Sequence, residues 1–139
     1  MRLRFALAVA LVATPATAWE VRQSKDRMTD RTETLAIVRS GDATLQVGCM
    51  NGHVQPWLTF ERHTGRGNIG LSYRFDDGPV VPRFAFMSPG TSNLYIWLLD
   101  YGEALAKLRK GKRLRVQIGK AFYDFDLTGG QPLPAIRCG

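Results

Sequence analysis

The chain has 139 residues, of which 45% are hydrophobic and 22% charged, and its formal net charge is +7. A chain of this length can bury a hydrophobic core without a metal ion or many cross-links. No apolar run in the chain is long enough to span a bilayer. We therefore expect neither a metal-dependent small fold nor an integral membrane protein.

Residues 1–18 have the pattern of a cleaved secretory signal peptide. Two arginines precede an apolar run over residues 5–13, and Ala-Thr-Ala at 16–18 is typical of a cleavage site. The apolar run is too short to cross a bilayer. Cleavage would leave a single β-rich domain over residues 19–139, so we expect a periplasmic or secreted protein without an integral membrane segment.

Loss of the signal segment would lower the formal charge from +7 to +5, because it removes two arginines. That surplus suits an acidic partner such as nucleic acid, anionic lipid or envelope polysaccharide, and it can equally serve only to solubilise the protein. No stretch has four consecutive basic residues, which favours the second interpretation. We do not expect a nucleic acid partner.

The chain has two cysteines, Cys49 and Cys138. In an oxidising compartment such a pair is typically a disulfide, which here would close a loop of about ninety residues and stabilise the fold by roughly 4 kcal/mol. A redox-active thiol or a metal ligand is the alternative, but no CxxC or Cys/His cluster accompanies either residue. We predict a structural disulfide.

The clearest local pattern is a three-stranded meander between residues 34 and 60, after a short first strand over residues 19–26. Gly41-Asp42 and Asn51-Gly52 have the composition of two-residue hairpin turns. The two turns predict mutually consistent registers. One face, the core face, would then carry Ala36, Val38, Leu45, Val47, Cys49, Val54 and Leu58.

Further strands are predicted at residues 69–76 and 80–87, where Pro82 places the second strand, or its first half, at an edge or bulge. Residues 93–98 fit either a strand or the start of a helix. The capping residues Asp100 and Gly111 predict a helix from about Tyr101 to Lys110.

Residues 112–127 predict a hairpin with its turn at Gly119-Lys120. This register would place Arg115 opposite Asp124 and Arg113 opposite Asp126. A short helical turn is expected in the tail at residues 135–137. Together the elements predict a mainly β fold, an antiparallel sandwich or strongly bent sheet with one packed amphipathic helix.

No residues have the spacing of a catalytic or metal site, and we expect no cofactor. His53 and His63 lie beside separate turns without a shared motif. Asp76 and Asp77 are adjacent, so their side chains would point apart in a strand, a poor geometry for acid/base chemistry. Cys49 on an apolar face would have a raised pKa rather than that of a nucleophile.

The face of the meander opposite the core face is too apolar to be fully solvated. It carries Leu35, Ile37, Gln46 and Trp57. Either the helix packs over this face, which we favour, or a partner docks there. Arg74 and Arg83 together with Trp57 are candidates for an anion- or glycan-binding platform.

Several short motifs resemble those of small exported proteobacterial proteins grouped with the type VI secretion-associated VasI family. They are Trp19, LxVxC at 45–49, Tyr-Arg-Phe-Asp at 73–76, an amphipathic helix, Phe-x-Leu-x-Gly at 125–129 and Cys138. Residues 99–129, with LRKGK, are also similar to the end of the invasion-associated locus B family, although the additional cysteines of that family are absent here. Both resemblances imply a periplasmic accessory domain without a known active site.

These observations favour a non-enzymatic periplasmic accessory or binding module, as part of a secretion or envelope system. Its partner would be an unknown protein or an acidic envelope component. The alternatives are a secreted effector or inhibitor that acts by binding, and a small hydrolase of envelope polymers. A deep pocket with convergent polar groups would favour the hydrolase, and a flat apolar patch around Trp57 would favour the binder.

Overall fold

The computed structural model describes residues 19–61, 67–87, 93–96 and 101–138, and the signal-like segment, His63 and Asp100 lie outside these ranges. Nine strands and one helix are present within them. They are β1 (Glu20–Lys25), β2 (Thr32–Ser40), β3 (Ala43–Met50), β4 (His53–Phe60), β5 (Gly67–Phe75), β6 (Val81–Met87), β7 (Asn93–Ile96), α1 (Tyr101–Lys110), β8 (Arg113–Ile118) and β9 (Ala121–Asp126).

All strand pairs are antiparallel, and the hydrogen-bonded order is β1-β2-β3-β4-β7-β6-β5-β8-β9. The sheet is strongly bent, so that β1 to β4 form one four-stranded half, β6, β5, β8 and β9 form the other, and the short β7 joins them. β9 comes close to β2, so the two ends of the sheet approach each other. The predicted mainly β fold with one packed helix is confirmed.

The register predicted for the meander is confirmed. Ala36 faces Val47, Leu45 faces Leu58 and Cys49 faces Val54. The second turn has φ of 52° at Asn51 and 79° at Gly52, as a two-residue turn with positive φ at both positions requires. Because strand side chains alternate between faces, these turns decide which residues of β2 to β4 point toward the core.

The hydrophobic core lies between the facing sides of the two halves, which we call the inner side of the sheet. Phe60 on β4 meets Tyr123 on β9 edge to face, with ring centroids 5.3 Å apart. The buried residues of this core come from both halves, the helix and the tail: Trp19, Ala36, Val38, Ala43, Leu45, Val47, Leu58, Phe60, Leu71, Leu108, Leu114, Val116, Phe125, Leu127, Leu133 and Ile136.

The helix has the predicted bounds but lies on the inner side of the sheet. Leu108 belongs to the core and shares a small apolar gap with Leu45 and Pro56 of the first half and Phe75 of the second. The prediction that the helix covers the Trp57 side of the meander is therefore wrong. Between the two halves of the bent sheet, Leu108 and Leu105 of α1 pack against apolar residues of the core.

Pro82 lies in the half of β6 that pairs with β5 alone, since β7 pairs only with residues 85–87. This agrees with the predicted edge position. The helical turn expected at residues 135–137 is not formed, because this part of the tail has no regular secondary structure. Leu133 and Ile136 instead anchor the tail by entering the core.

Cys49 and Cys138 form the predicted disulfide, with Cα atoms 5.6 Å apart and a sequence separation of 89 residues. Cys49 has the orientation of the core-facing residues of β3, but it is exposed rather than buried. It lies next to the last residue of that strand, where the core has already ended. The bridge therefore fixes the end of the tail to the rim of the sandwich rather than to its centre.

Replacing either cysteine by Ser is expected to lower the thermal unfolding midpoint. The model of restricted unfolded-chain entropy gives roughly 4 kcal/mol for a loop of this length, or a decrease on the order of 10–15 °C for a domain of this size. Scanning calorimetry of the oxidised proteins measures the effect. Addition of reductant should lower the wild-type midpoint to that of the variants, and equal midpoints under oxidising conditions would contradict a stabilising bridge.

Candidate binding surface

The side of β2, β3 and β4 that faces away from the core carries the predicted apolar residues. Ile37, Gln46 and Trp57 form one row across the three strands. Leu35 lies in the next row on this side, where the β2–β3 register places it opposite Gly48. Ile37 is only 4% exposed, whereas Leu35 and Trp57 are half-buried. We call these four residues and Gly48 the Trp57 face.

Gly48 allows the two larger side chains of this face to close over the sheet. A Cβ atom at this position would lie 3.0 Å from Cδ1 of Leu35 and 3.1 Å from Cη2 of Trp57. Such distances are shorter than normal van der Waals contact. The absence of a side chain at Gly48 therefore lets Leu35 and Trp57 form one low apolar surface.

Polar groups surround this apolar centre. Gln46 Nε2 donates a hydrogen bond to Thr59 Oγ1 at 2.9 Å. At the β1 edge, Glu20 accepts from Arg39 at 2.6 Å and from Arg22 at 2.7 Å, and these two bonds lower the pKa of Glu20. The Trp57 face is thus an apolar centre with a hydrogen-bonding margin, which is the arrangement of many protein interfaces.

The other predicted surface residues do not join Trp57. Arg74 also lies on the outer side of the sheet, but β7 and β6 separate its strand, β5, from β4. Across these strands Trp57 is in register with Asn68, which precedes Arg74 by six residues on β5. These offsets correspond to about 14 Å across the sheet and about 20 Å along it. The sheet does not bring Arg74 to the Trp57 face.

Arg83 lies on the other side of the sheet from both. Its register partner is the buried Leu71, so it has the inward orientation. Its Nη1 donates to the carbonyl oxygen of Pro82 at 3.0 Å, and its buried Nε has no hydrogen-bond partner among the described residues. The three residues of the predicted anion or glycan platform are therefore apart.

A second exposed apolar group, not anticipated from the sequence, lies on the outer side of the other half. Val80, Phe84 and Phe122 are 61%, 70% and 60% exposed. Val80 and Phe122 line an open groove of about 140 Å³ whose other walls include Ser72 and Gln117. Because side chains alternate along β9, the inward direction of Tyr123 and Phe125 predicts that Phe122 points outward. The groove itself could not be predicted, because it depends on the pairing of β5 with β8.

The adjacent carboxylates of Asp76 and Asp77 form contacts within the fold. Asp76, with φ of 49°, accepts hydrogen bonds at Oδ1 from the backbone N–H groups of Lys112 at 2.8 Å and Arg113 at 3.0 Å. Asp77 pairs with Arg74. Asp76 thus connects the turn after β5 to the start of β8, while Asp77 pairs with Arg74 of β5 itself.

Of the two predicted cross-strand pairs on the last hairpin, one forms an ion pair. Asp124 accepts from Arg115 Nε at 2.7 Å, and this bond lowers the pKa of Asp124 and raises that of Arg115. Asp126 lies opposite Arg113 but accepts instead from the hydroxyl and N–H of Thr128, which lower its pKa. The predicted placement of both pairs across the hairpin is therefore confirmed, but Asp126 accepts hydrogen bonds from Thr128 instead of forming an ion pair with Arg113.

An open groove lined by several polar residues lies beside the disulfide. It has a volume of about 590 Å³ and is lined by Asp26, Thr29, Arg31, Thr32, Glu33, Cys49, Gly52, Arg137 and Cys138. Asp26 there accepts from the N–H groups of Met28 and Thr29, and the first of these bonds lowers its pKa. Within the described residues no three His, Cys, Asp or Glu side chains are grouped to hold a metal ion.

Asp76→Ala is expected to reduce the free energy of unfolding by about 1–2 kcal/mol, because two backbone N–H groups lose their acceptor and alanine tolerates positive φ poorly. Asp76→Asn keeps an acceptor oxygen and tolerates this backbone conformation, so it should retain most of the stability. Urea unfolding of both variants tests this. Equal losses in the two variants would show that the charge of Asp76, rather than its hydrogen bonds, stabilises the turn.

The lowered carboxyl pKa values predict acid destabilisation. A carboxyl group whose folded pKa lies below its unfolded pKa stabilises the fold above the unfolded value and loses this effect as pH falls through the folded value. The thermal midpoint should therefore be constant above about pH 5 and decrease below about pH 4. Asp124→Asn should lower the plateau and make the acid-induced decrease smaller, whereas an unchanged decrease would exclude a contribution from the Arg115–Asp124 pair.

No known protein family, curated protein or solved structure matches the chain. Among the described residues no helix is long and apolar enough to cross a membrane. Inferences about function therefore rest on three features of the molecule. They are the disulfide, the apolar groups on the outer side of each half of the sheet, and the positions of the charged residues.

Proposed function

We propose that the protein is an exported, non-enzymatic binding module that docks a partner protein on its Trp57 face, as an accessory component of a secretion or envelope system. One observation carries this proposal. The amphipathic helix, which would otherwise have covered the Trp57 face, packs on the inner side of the sheet. An in-register apolar group centred on Leu35 and Trp57 is left on the outer side.

Export is supported by two independent features. The first is the signal-like pattern of residues 1–18. The second is the Cys49–Cys138 disulfide, since stable disulfides belong to oxidising compartments. The motif resemblance to exported VasI-type proteins agrees with a periplasmic or secreted location and an accessory role.

A protein partner suits the chemistry of the Trp57 face. Interfaces combine an apolar centre with a polar rim, and tryptophan is enriched among the residues that contribute most of the binding free energy. Trp57 is half-buried and held against the sheet beside Leu35. Less side-chain entropy is therefore lost when a partner covers it than for a free side chain.

The alternatives use the same structure differently. An effector or inhibitor would use the Trp57 face to occupy a partner's site, so its chemistry is the same and only the identity of the partner differs. A hydrolase of envelope polymers would need a carboxyl group with a raised pKa as general acid. The carboxyl groups of Glu20, Asp26, Asp124 and Asp126 instead have lowered pKa values, because they accept hydrogen bonds. This favours the binding module.

The proposal is tested by capture and then by affinity. Tagged protein is exported by its native cells, captured under oxidising conditions, and its co-purifying proteins are identified by quantitative mass spectrometry. The enriched protein is then purified, and its Kd is measured for the wild type and variants. Trp57→Ala should weaken binding about tenfold to a hundredfold, as expected for a central interface tryptophan, and Trp57→Phe should weaken it less.

Two further variants separate docking from folding. Phe122→Ala removes an exposed aromatic side chain from the other half of the sheet and should leave Kd unchanged. Gly48→Ala keeps every side chain of the Trp57 face but forces Leu35 and Trp57 apart, so it should weaken binding. An unchanged Kd for Trp57→Ala, or a loss that appears only with a lowered thermal midpoint, would overturn the proposal, and a loss confined to Phe122→Ala would move the docking surface to the other half.

A further inference from the structure

The positive charge of the chain is concentrated in one short segment. Residues 107–115 contain six lysines and arginines and no acidic residue. The rest of the chain after residue 18 contains eleven basic and twelve acidic residues. The surplus expected for the exported protein therefore comes from these nine residues, although no four basic residues are consecutive.

Four of the six cations are available to a ligand. Lys107 pairs with Glu103 at 3.0 Å and Arg115 with Asp124 at 2.7 Å. The other four are exposed and form no ion pair with any residue in the described ranges. They are Arg109, Lys110, Lys112 and Arg113, at the end of α1 and the start of β8, and we call them the basic corner.

The backbone under the basic corner is held by hydrogen bonds on both sides. The N–H groups of Lys112 and Arg113 donate to Asp76 Oδ1, while their carbonyl oxygens accept from the N–H groups of Leu127 and Asp76, each at 2.9 Å. Gly111 lies so close to Phe75 and to the Lys107 carbonyl oxygen, 2.7 Å from an added Cβ, that a side chain there would displace the turn. The backbone of the basic corner is therefore held in place by hydrogen bonds, and its long cationic side chains extend into solvent.

The acidic groups near this corner are engaged elsewhere. Asp76 is occupied by the two backbone N–H groups, Asp77 by Arg74, and Asp126 by Thr128. Asp124 is paired with Arg115, and Arg113 attracts it only at longer range. They fix the local structure and do not form ion pairs with the side chains of the basic corner. An anionic ligand would therefore meet four cations whose hydrogen-bond donors are unused by other described side chains.

We infer that the basic corner binds the phosphate groups of an anionic phospholipid bilayer and so holds the exported protein at a membrane surface. This inference deepens the proposed function, because it depends on export and supplies the acidic envelope component. Basic side chains near an anionic leaflet are attracted by its surface potential within about a Debye length. Segment 107–115 has no aromatic residue, whereas single-stranded nucleic acid is bound by bases stacking on aromatic side chains.

The test measures cosedimentation of the folded, oxidised protein with two kinds of vesicle, phosphatidylcholine alone and phosphatidylcholine mixed with phosphatidylglycerol. The wild type should bind only the mixed vesicles, and binding should decrease steeply with added salt. Replacing the four cations of the basic corner by Gln should reduce the partition coefficient by roughly two orders of magnitude or more, since each cation contributes about fivefold. A matched control replaces four exposed cations elsewhere by Gln: Arg27, Arg31, Lys120 and Arg137.

The control carries the same net charge as the corner variant, so it separates local binding from general attraction. Retention of most vesicle binding by the control, with equal thermal midpoints for both variants, supports the inference. Equal losses in the two variants, or no wild-type binding to the mixed vesicles at low salt, overturn it. Corner-dependent binding that is tighter to soluble polyphosphate or duplex DNA than to vesicles also overturns the membrane assignment. The corner variant should keep its Trp57-dependent capture of protein, so the two proposals can fail separately.

Discussion

The alternation of side chains along the three-stranded meander is the constraint on which the rest of the structure depends. The turns at Gly41 and Asn51-Gly52 adopt positive φ and hold β2, β3 and β4 in a register that leaves Leu45, Val47 and Leu58 fully buried. A shift by one residue would expose this entire set and bury Gln46 and Thr59 in its place. The second half of the sheet, the helix and the tail all pack against the side that this register selects. The same register determines which residues can meet a partner, because it directs Trp57 outward.

Local patterns predicted a large part of this arrangement. The meander register, the helix bounds and the Arg115–Asp124 pair follow from interactions between residues close in sequence, where turn chemistry and periodicity leave few alternatives. The disulfide could be predicted although its cysteines are far apart, because the chain has only two cysteines and its signal-like segment favours an oxidising compartment. Cys49 was nevertheless expected in the core. Side-chain alternation gives the direction of a residue, but its burial depends on how far the opposing layer extends along the strand.

The features that could not be predicted depend on strand order. β7 inserts between β4 and β6, and β5 pairs with β8, and neither pairing leaves a local signature. This order separates Arg74 from Trp57 and brings Val80 and Phe122 to the lining of one groove. The inward direction of Arg83 depends instead on the register of the β5–β6 pair, which places it opposite Leu71. The position of the helix could not be predicted either. The amphipathic stripe of α1 predicts that the helix covers apolar surface. Both sides of the meander carry apolar residues, so the stripe does not show which side the helix covers.

The two proposed surfaces have different physical requirements, and the fold meets each in a different place. A protein-docking face benefits from a rigid apolar surface, because little entropy remains to be lost on binding; the centre of a hydrogen-bonded half-sheet, with Gly48 letting Trp57 lie close to the backbone, provides this. A membrane-binding corner has to meet phosphates whose positions fluctuate, so long cationic side chains on a short, well-anchored connection are suitable. The Trp57 face is centred on β3 and β4, whereas the basic corner joins α1 to β8 in the other half of the sheet. Because the two surfaces share no residue, a partner on the Trp57 face and a membrane at the basic corner would not compete for the same side chains. On the two proposals together, the protein would act as an adaptor that brings its partner to a membrane surface.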